Sequence, residues 1–222
     1  MIPILRVNFF GHAVAACWQD SAPGFVLGAM LPDFASMCGA TLVQVNNSEI
    51  AAGVAWHHKT DRWFHELAGF CQWTNRLALE MRERGLARGP SRGAAHVGVE
   101  LLLDDWLAGD PAAHSAYSAA IAAGAPSQLG AAIQWPSTEQ ANRWHRLRDR
   151  LAARGAPKTC EDPHQIVLRI YRALATRPRL ALAQRDLGVV ASLLKSAHPE
   201  FAREVPRMLA TLRHQLCGSS RA

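Results

Sequence analysis

The chain has no Cys-x-x-Cys pair, and its five cysteines (Cys17, Cys38, Cys71, Cys160 and Cys217) are odd in number and widely spaced. That argues against a disulfide framework and against a thiolate zinc site, so any metal must be held by nitrogen and oxygen. The expected role of most of these thiols is that of small buried apolar groups, with Cys217 in a tail. Also missing is any apolar run near the roughly 18–20 residues that a membrane-spanning helix requires. Met1–Phe10 lacks both a long apolar stretch and a cleavage site, which makes the cytoplasm the expected compartment. Alternating β-branched residues are scarce, and no repeat or low-complexity tract interrupts the 222 residues. One domain, 1–222, is the simplest organisation for that length.

Ala and Leu are abundant, and both favour helix. Pro and Gly punctuate the chain at intervals suited to helices of about ten to twenty residues. The pattern predicts an all-α, single compact multi-helix domain. Its expected helices lie near 8–19, 24–37, 48–68, 70–86, 91–108, 111–123, 126–134, 137–154, 163–176, 178–195 and 198–215. Asn8, Ser48 and Ser137 have side-chain oxygens able to cap the first turns of three of them. The stretches 86–93 and 154–163 read as loops. The net charge of +6 comes largely from Arg. It favours anionic partners without selecting phosphate esters, nucleic acid or an acidic protein. Most of the Arg at 143–150, 169–185 and 203–213 reads as solvated helix faces. No nucleic-acid-binding motif is present, so nucleic acid is not the expected partner, and the oligomeric state is open.

The chemistry lies in polar groups on faces that should be apolar. In Ser48–Ala68, a helix advancing about 100° per residue puts Ile50, Val54, His57, Asp61, His65 and Ala68 in one sector, with His58 at its edge. A buried Asp is costly unless hydrogen-bond donors, a cation or a metal answer it. His57, Asp61 and His65 offer one candidate ligand per turn, as metal-binding bundles do. His96 and Glu100, four residues apart, share a face with Leu103 and Leu107. Asp104 lies near that face and Asp105 turns away from it. His12 stands in an apolar run beside Gly11, and Asp33 stands alone in Gly28–Phe34. Singly, each has an ordinary explanation: a core histidine, a helix cap, an i,i+4 pair. Jointly, four segments turn imidazole or carboxylate inward, which points to one or two divalent ions. Imidazole with carboxylate suits Zn, Mn or Fe better than Mg.

At these residues the chain resembles the acyl carrier protein phosphodiesterase family, relatives of the HD-domain metal-dependent phosphohydrolases. The likeness is carried by Asn8-Phe9-Phe10-Gly11-His12, by Gly28 through Asp33-Phe34, and by Gly53-Val54-Ala55-Trp56-His57-His58-Lys59-Thr60-Asp61. Arg177-Pro178-Arg179-Leu180 and the stretch from Phe201 to Met208 extend it. The resemblance implies an HD-domain-like helical fold, a manganese-type ion, and hydrolysis of the phosphodiester joining phosphopantetheine to a carrier protein. It assigns His12, Asp33, His57 and Asp61 to the metal centre. The chain departs from the family pattern at His65, where the family carries Asp, and at His96 and Glu100, where it carries Asp-x-x-x-Asp-His. In such a mechanism Asp61 works beside the metal, His58 and His65 are the expected proton-handling groups, and Lys59, Arg62, Arg177 and Arg179 are the expected phosphate holders. Two other readings compete. Gly28–Phe34 also resembles a segment of zinc-dependent phospholipase C-like proteins, and the Arg-rich second half would suit a non-enzymatic helical module binding nucleic acid or protein.

Overall fold

Helix α2 (Pro23–Met37) is apolar on almost every side, and such a helix must be wrapped by others. In the computed structural model, which describes residues 9–159 and 163–218, it is buried beneath α1 (Phe9–Cys17), α3 (Ser48–Glu66), α6 (Pro111–Ala123) and α7 (Thr138–Arg154). A second buried helix, α5 (Arg88–Leu107), is enclosed by α4 (Ala68–Glu83), α8 (Pro163–Leu174), α9 (Leu187–Gly218) and α1. The fold is all-α, about 77% helical, and its only strands among the described residues are β1 (Gln44–Val45) and β2 (Ile133–Gln134), paired antiparallel. No described helix is long and apolar enough to cross a membrane.

Two glycines set the distance between α2 and α3. A Cβ on Gly28 would stand 2.1 Å from the carbonyl oxygen of Ile50, and one on Gly53 2.1 Å from that of Phe25. Backbone therefore meets backbone where these helices cross. Around the crossing, Glu49 of α3 accepts the N–H groups of Gly24 and Phe25, completing the open first turn of α2. Trp56 donates its indole N–H to Ala15 of α1. From α5, Asp104 accepts the N–H of Gly11 at 2.9 Å and so serves the first turn of α1. These contacts tie α2 to α3, and α1 to both α3 and α5.

Several expected elements are corrected. Residues 126–134 form a short 3-10 turn (Leu129–Ala132) leading into β2, not an α-helix. A Cβ on Gly130 would lie 2.3 Å from the carbonyl of Gly124, so the chain folds back there more tightly than a helix permits. The two helices expected at 178–195 and 198–215 are corrected to one, α9, which begins only at Leu187 after a 3-10 turn at Gln184–Asp186 and has Pro199 and Pro206 inside it. Both prolines are exposed and lie seven residues apart on the solvent face. The carbonyls they release can turn to water, while Leu194, Ala197, Phe201, Val205, Met208, Leu212 and Leu216 keep an unbroken buried stripe. Residues 88–93, expected in a loop, are the first turns of α5. Pro90 sits third in that helix, where no intrahelical N–H is required. Asn47, one residue before Ser48, caps α3, and Ser137 caps α7 as expected. The thiols are less buried than expected: Cys71 is exposed, Cys17, Cys38 and Cys217 are half-buried, and Cys217 lies within α9. Asn8 and Cys160 fall outside the described residues.

Candidate metal centre

The four segments singled out in the sequence converge. His12 comes from α1, Asp33 from α2, His57, Asp61 and His65 from successive turns of α3, and His96 and Glu100 from α5. They gather as two clusters: potential ligand atoms of His12, His57 and Asp61 lie within 4.8 Å of one another, and so do those of His65, His96 and Glu100. Asp33 joins the first cluster through its Oδ2, 3.8 Å from His12 Nε2. The clusters adjoin along α3, where His65 Nδ1 is 3.4 Å from Asp61 Oδ1.

Hydrogen bonds fix which nitrogen each ring presents. His57 Nδ1 lies 2.8 Å from the carbonyl oxygen of Ala29, which can only accept, so Nδ1 carries the proton. His65 Nδ1 is likewise held 2.8 Å from the carbonyl oxygen of Asp61. His12 Nδ1 stands 3.0 Å from the Thr60 hydroxyl, whose own proton goes to the carbonyl of His57. The hydroxyl must therefore accept from His12. All three rings commit Nδ1 to an oxygen, the kind of contact by which protein oxygens orient metal-ligating histidines. The rings also pack together, His12 on His57 with centroids 4.0 Å apart and His65 on His96 at 5.0 Å, nearly parallel.

Glu100 is the buried focus of the second cluster. Its Oε1 lies 3.2 Å from both His65 Nε2 and His96 Nε2. Its Oε2 has no hydrogen-bond partner among the described residues although it is shut off from solvent. An orphaned carboxylate oxygen in such a place is costly unless a cation takes it. Burial opposes the Glu100 charge, but the two imidazoles outweigh it and hold the carboxyl below its ordinary value. Burial works against the His65 cation too, and Glu100 with Asp61 more than compensates, raising that imidazole. The Glu100 side chain is 2% exposed, whereas His65 and His96 retain 17% and 21%, so the cluster opens on the imidazole side.

One turn beyond Glu100, Asp104 is buried and its acidity falls to a value of about 7, chiefly by desolvation, with Arg169 and the Gly11 N–H pulling the other way. Asp104 is not grouped with either ligand set. Asp105, expected to turn away, faces α9, with its carboxylate 3.4 Å from His198.

The predicted phosphate-holding residues separate. Arg177 and Arg179 line a cavity of about 540 Å³ whose wall includes His96. Arg88 and Arg92, which the sequence reading did not single out, line the same space. Lys59 is elsewhere: its Nζ donates to the carbonyl of Leu216 and lies over the Trp56 ring, serving the end of α9. Arg62 is exposed and does not line the cavity, and His58 is exposed, edge-on to His57, outside both clusters. Thr60 was also missed. Its hydroxyl lies on a neighbouring face of α3, and apolar periodicity carries no sign of its bond to His12.

Compared with models of known protein families, with curated proteins and with solved structures, the chain matches none.

Proposed function

We propose that this protein is a metal-dependent phosphoester hydrolase, with His12, Asp33, His57 and Asp61 holding one divalent ion and His65, His96 and Glu100 a second. The observation that carries the reading is the convergence of imidazoles and carboxylates from separate helices into two adjoining groups, each with its potential ligand atoms within 4.8 Å of one another. Four imidazoles and three carboxylates suit Mn, Zn or Fe. When bound, such ions supply Lewis acidity and lower the acidity threshold of water near neutrality.

The chain's own residues do the rest. Asp61, between the clusters, orients His65 through its side-chain and main-chain oxygens. Glu100 and Asp61 favour the protonated His65 in the metal-free chain, so a cation held there by His65 would displace that proton. Arg177 and Arg179 meet a phosphate at the mouth of the second cluster with forked, charge-assisted hydrogen bonds. A phosphoester is favoured over a neutral ester or amide because the wall of the cavity beside His96 carries arginines and, among the described residues, no acidic one. The resemblance to acyl carrier protein phosphodiesterases, drawn from Gly28–Phe34 and Gly53–Asp61, agrees with this class of reaction and proposes the phosphodiester of a carrier protein as one substrate.

The test is hydrolysis of bis(4-nitrophenyl) phosphate and 4-nitrophenyl phosphate by purified protein given Mn, Zn or Fe in turn. Metal-stimulated turnover that Asp61→Ala abolishes and Lys59→Ala leaves in place supports the reading. Absence of turnover with all three metals on both esters counts against it.

A further inference from the structure

Arg88, Arg92, His96 and Glu100 recur every fourth residue along α5, so they form one ladder on one face of the helix. At 1.5 Å per residue each rung rises about 6 Å, which puts the Arg92 and Arg88 positions roughly 6 and 12 Å along the axis from His96. The neighbouring face has Gly89 and Gly93. A Cβ on Gly89 would lie 2.0 Å from the carbonyl of Arg179, and one on Gly93 3.2 Å from Leu174 and Leu180. These glycines let the segment after α8 lie directly against α5, which brings Arg177 and Arg179 alongside the ladder. Between the two walls is the cavity of about 540 Å³. Among the described residues its lining contains four arginines, the apolar side chains of Ala78, Val97, Leu174 and Leu180, and no Asp or Glu. Arg177 is close enough to Glu100 for the two charges to interact, so it belongs to the cluster end of the cavity.

One phosphate at the metal clusters engages Arg177. It does not account for Arg88 and Arg92, which stand one and two turns further on. Arg88, Arg92 and Arg179 are exposed and, with Arg177, give this apolar-walled space a positive potential that suits an anion of matching length. We infer that the substrate is a small bifunctional molecule, with a second anionic group held by Arg88 and Arg92 roughly 6–12 Å from the scissile phosphorus and an apolar spacer along Leu174 and Leu180. This rests on the hydrolase reading, and it narrows the substrate to esters with a remote phosphate, sulfate or carboxylate.

The experiment is calorimetric titration of the Mn-supplemented full-length protein with hexane-α,ω-diol bisphosphate and with hexyl phosphate, the bound metal being measured in the same samples. The bisphosphate is expected to bind about tenfold more tightly, as a second charge-assisted contact to two arginines implies. In Arg88→Gln/Arg92→Gln the two ligands should bind alike, while Arg88→Lys/Arg92→Lys should retain part of the difference. Equal binding of both ligands by the unaltered protein, or a difference that survives the Gln pair, overturns the inference. The metal content read alongside separates that failure from failure of the metal site itself.

Discussion

His12 and Thr60 form a relay across two helices: the imidazole Nδ1 donates to the hydroxyl at 3.0 Å, and the hydroxyl donates to the carbonyl of His57 at 2.9 Å. One side chain thereby fixes the tautomer of His12 and ties it to the backbone of the next candidate ligand. Thr60→Val keeps the shape and removes the acceptor. Orienting partners of this kind are worth roughly 10–100-fold in metal affinity, so the Val variant should lose about that much while Thr60→Ser loses little. Competition with a chromogenic chelator measures it, and an unchanged affinity in Thr60→Val would show that the hydroxyl does not orient His12.

The approach of α2 to α3 is a second point of dependence. Alanine at Gly28 or Gly53 drives a Cβ into carbonyl oxygens 2.1 Å away, with backbone rather than a yielding side chain in the path. The helices must separate, which costs about 1–3 kcal/mol or more by the usual scale of overpacking. Because Asp33 and His57 stand on those two helices, metal uptake should fall with stability. Denaturant midpoints together with metal content test this. Gly188→Ala, where a Cβ meets nothing, is the control.

Asp104 gives a pH dependence opposite to that of most paired carboxylates. Its folded value of about 7 lies above the ordinary 3.8, so the folded state binds the extra proton. The associated stability is present in full below about 4 and is lost as pH rises through about 7, on the order of 4 kcal/mol at about 1.4 kcal/mol per unit. Metal-free protein should therefore lose stability over that interval. Asp104→Asn keeps an acceptor for the Gly11 N–H and should flatten the slope. Equal slopes for both proteins in urea titrations at a series of pH values would refute the assignment.

Much of this was legible in the sequence because helical periodicity exposes a polar residue on an apolar face. His57, Asp61 and His65, then His96 and Glu100, could be placed inward from spacing alone, and His12 and Asp33 from the apolar residues around them. What was hidden had specific causes. Gly89, Pro90 and Gly93 look like loop punctuation, yet here they are a helix start and two close-packing points, which hides Arg88 and Arg92 beside them. The break expected between 195 and 198 is absent, because Pro199, like Pro206 seven residues on, falls on the solvent face of α9. Lys59 and Arg62 lie in the right stretch of sequence on the wrong sides of the helix, and charge alone does not reveal that.

The most direct test of the account is the number of divalent ions bound per chain, measured by metal titration and elemental analysis of the purified protein and of His12→Ala and His96→Ala. Two ions in the unaltered protein and one fewer in each variant, with helical circular dichroism unchanged, is the predicted result. A chain that takes up no Mn, Zn or Fe, or whose metal content is untouched by both substitutions, would contradict it.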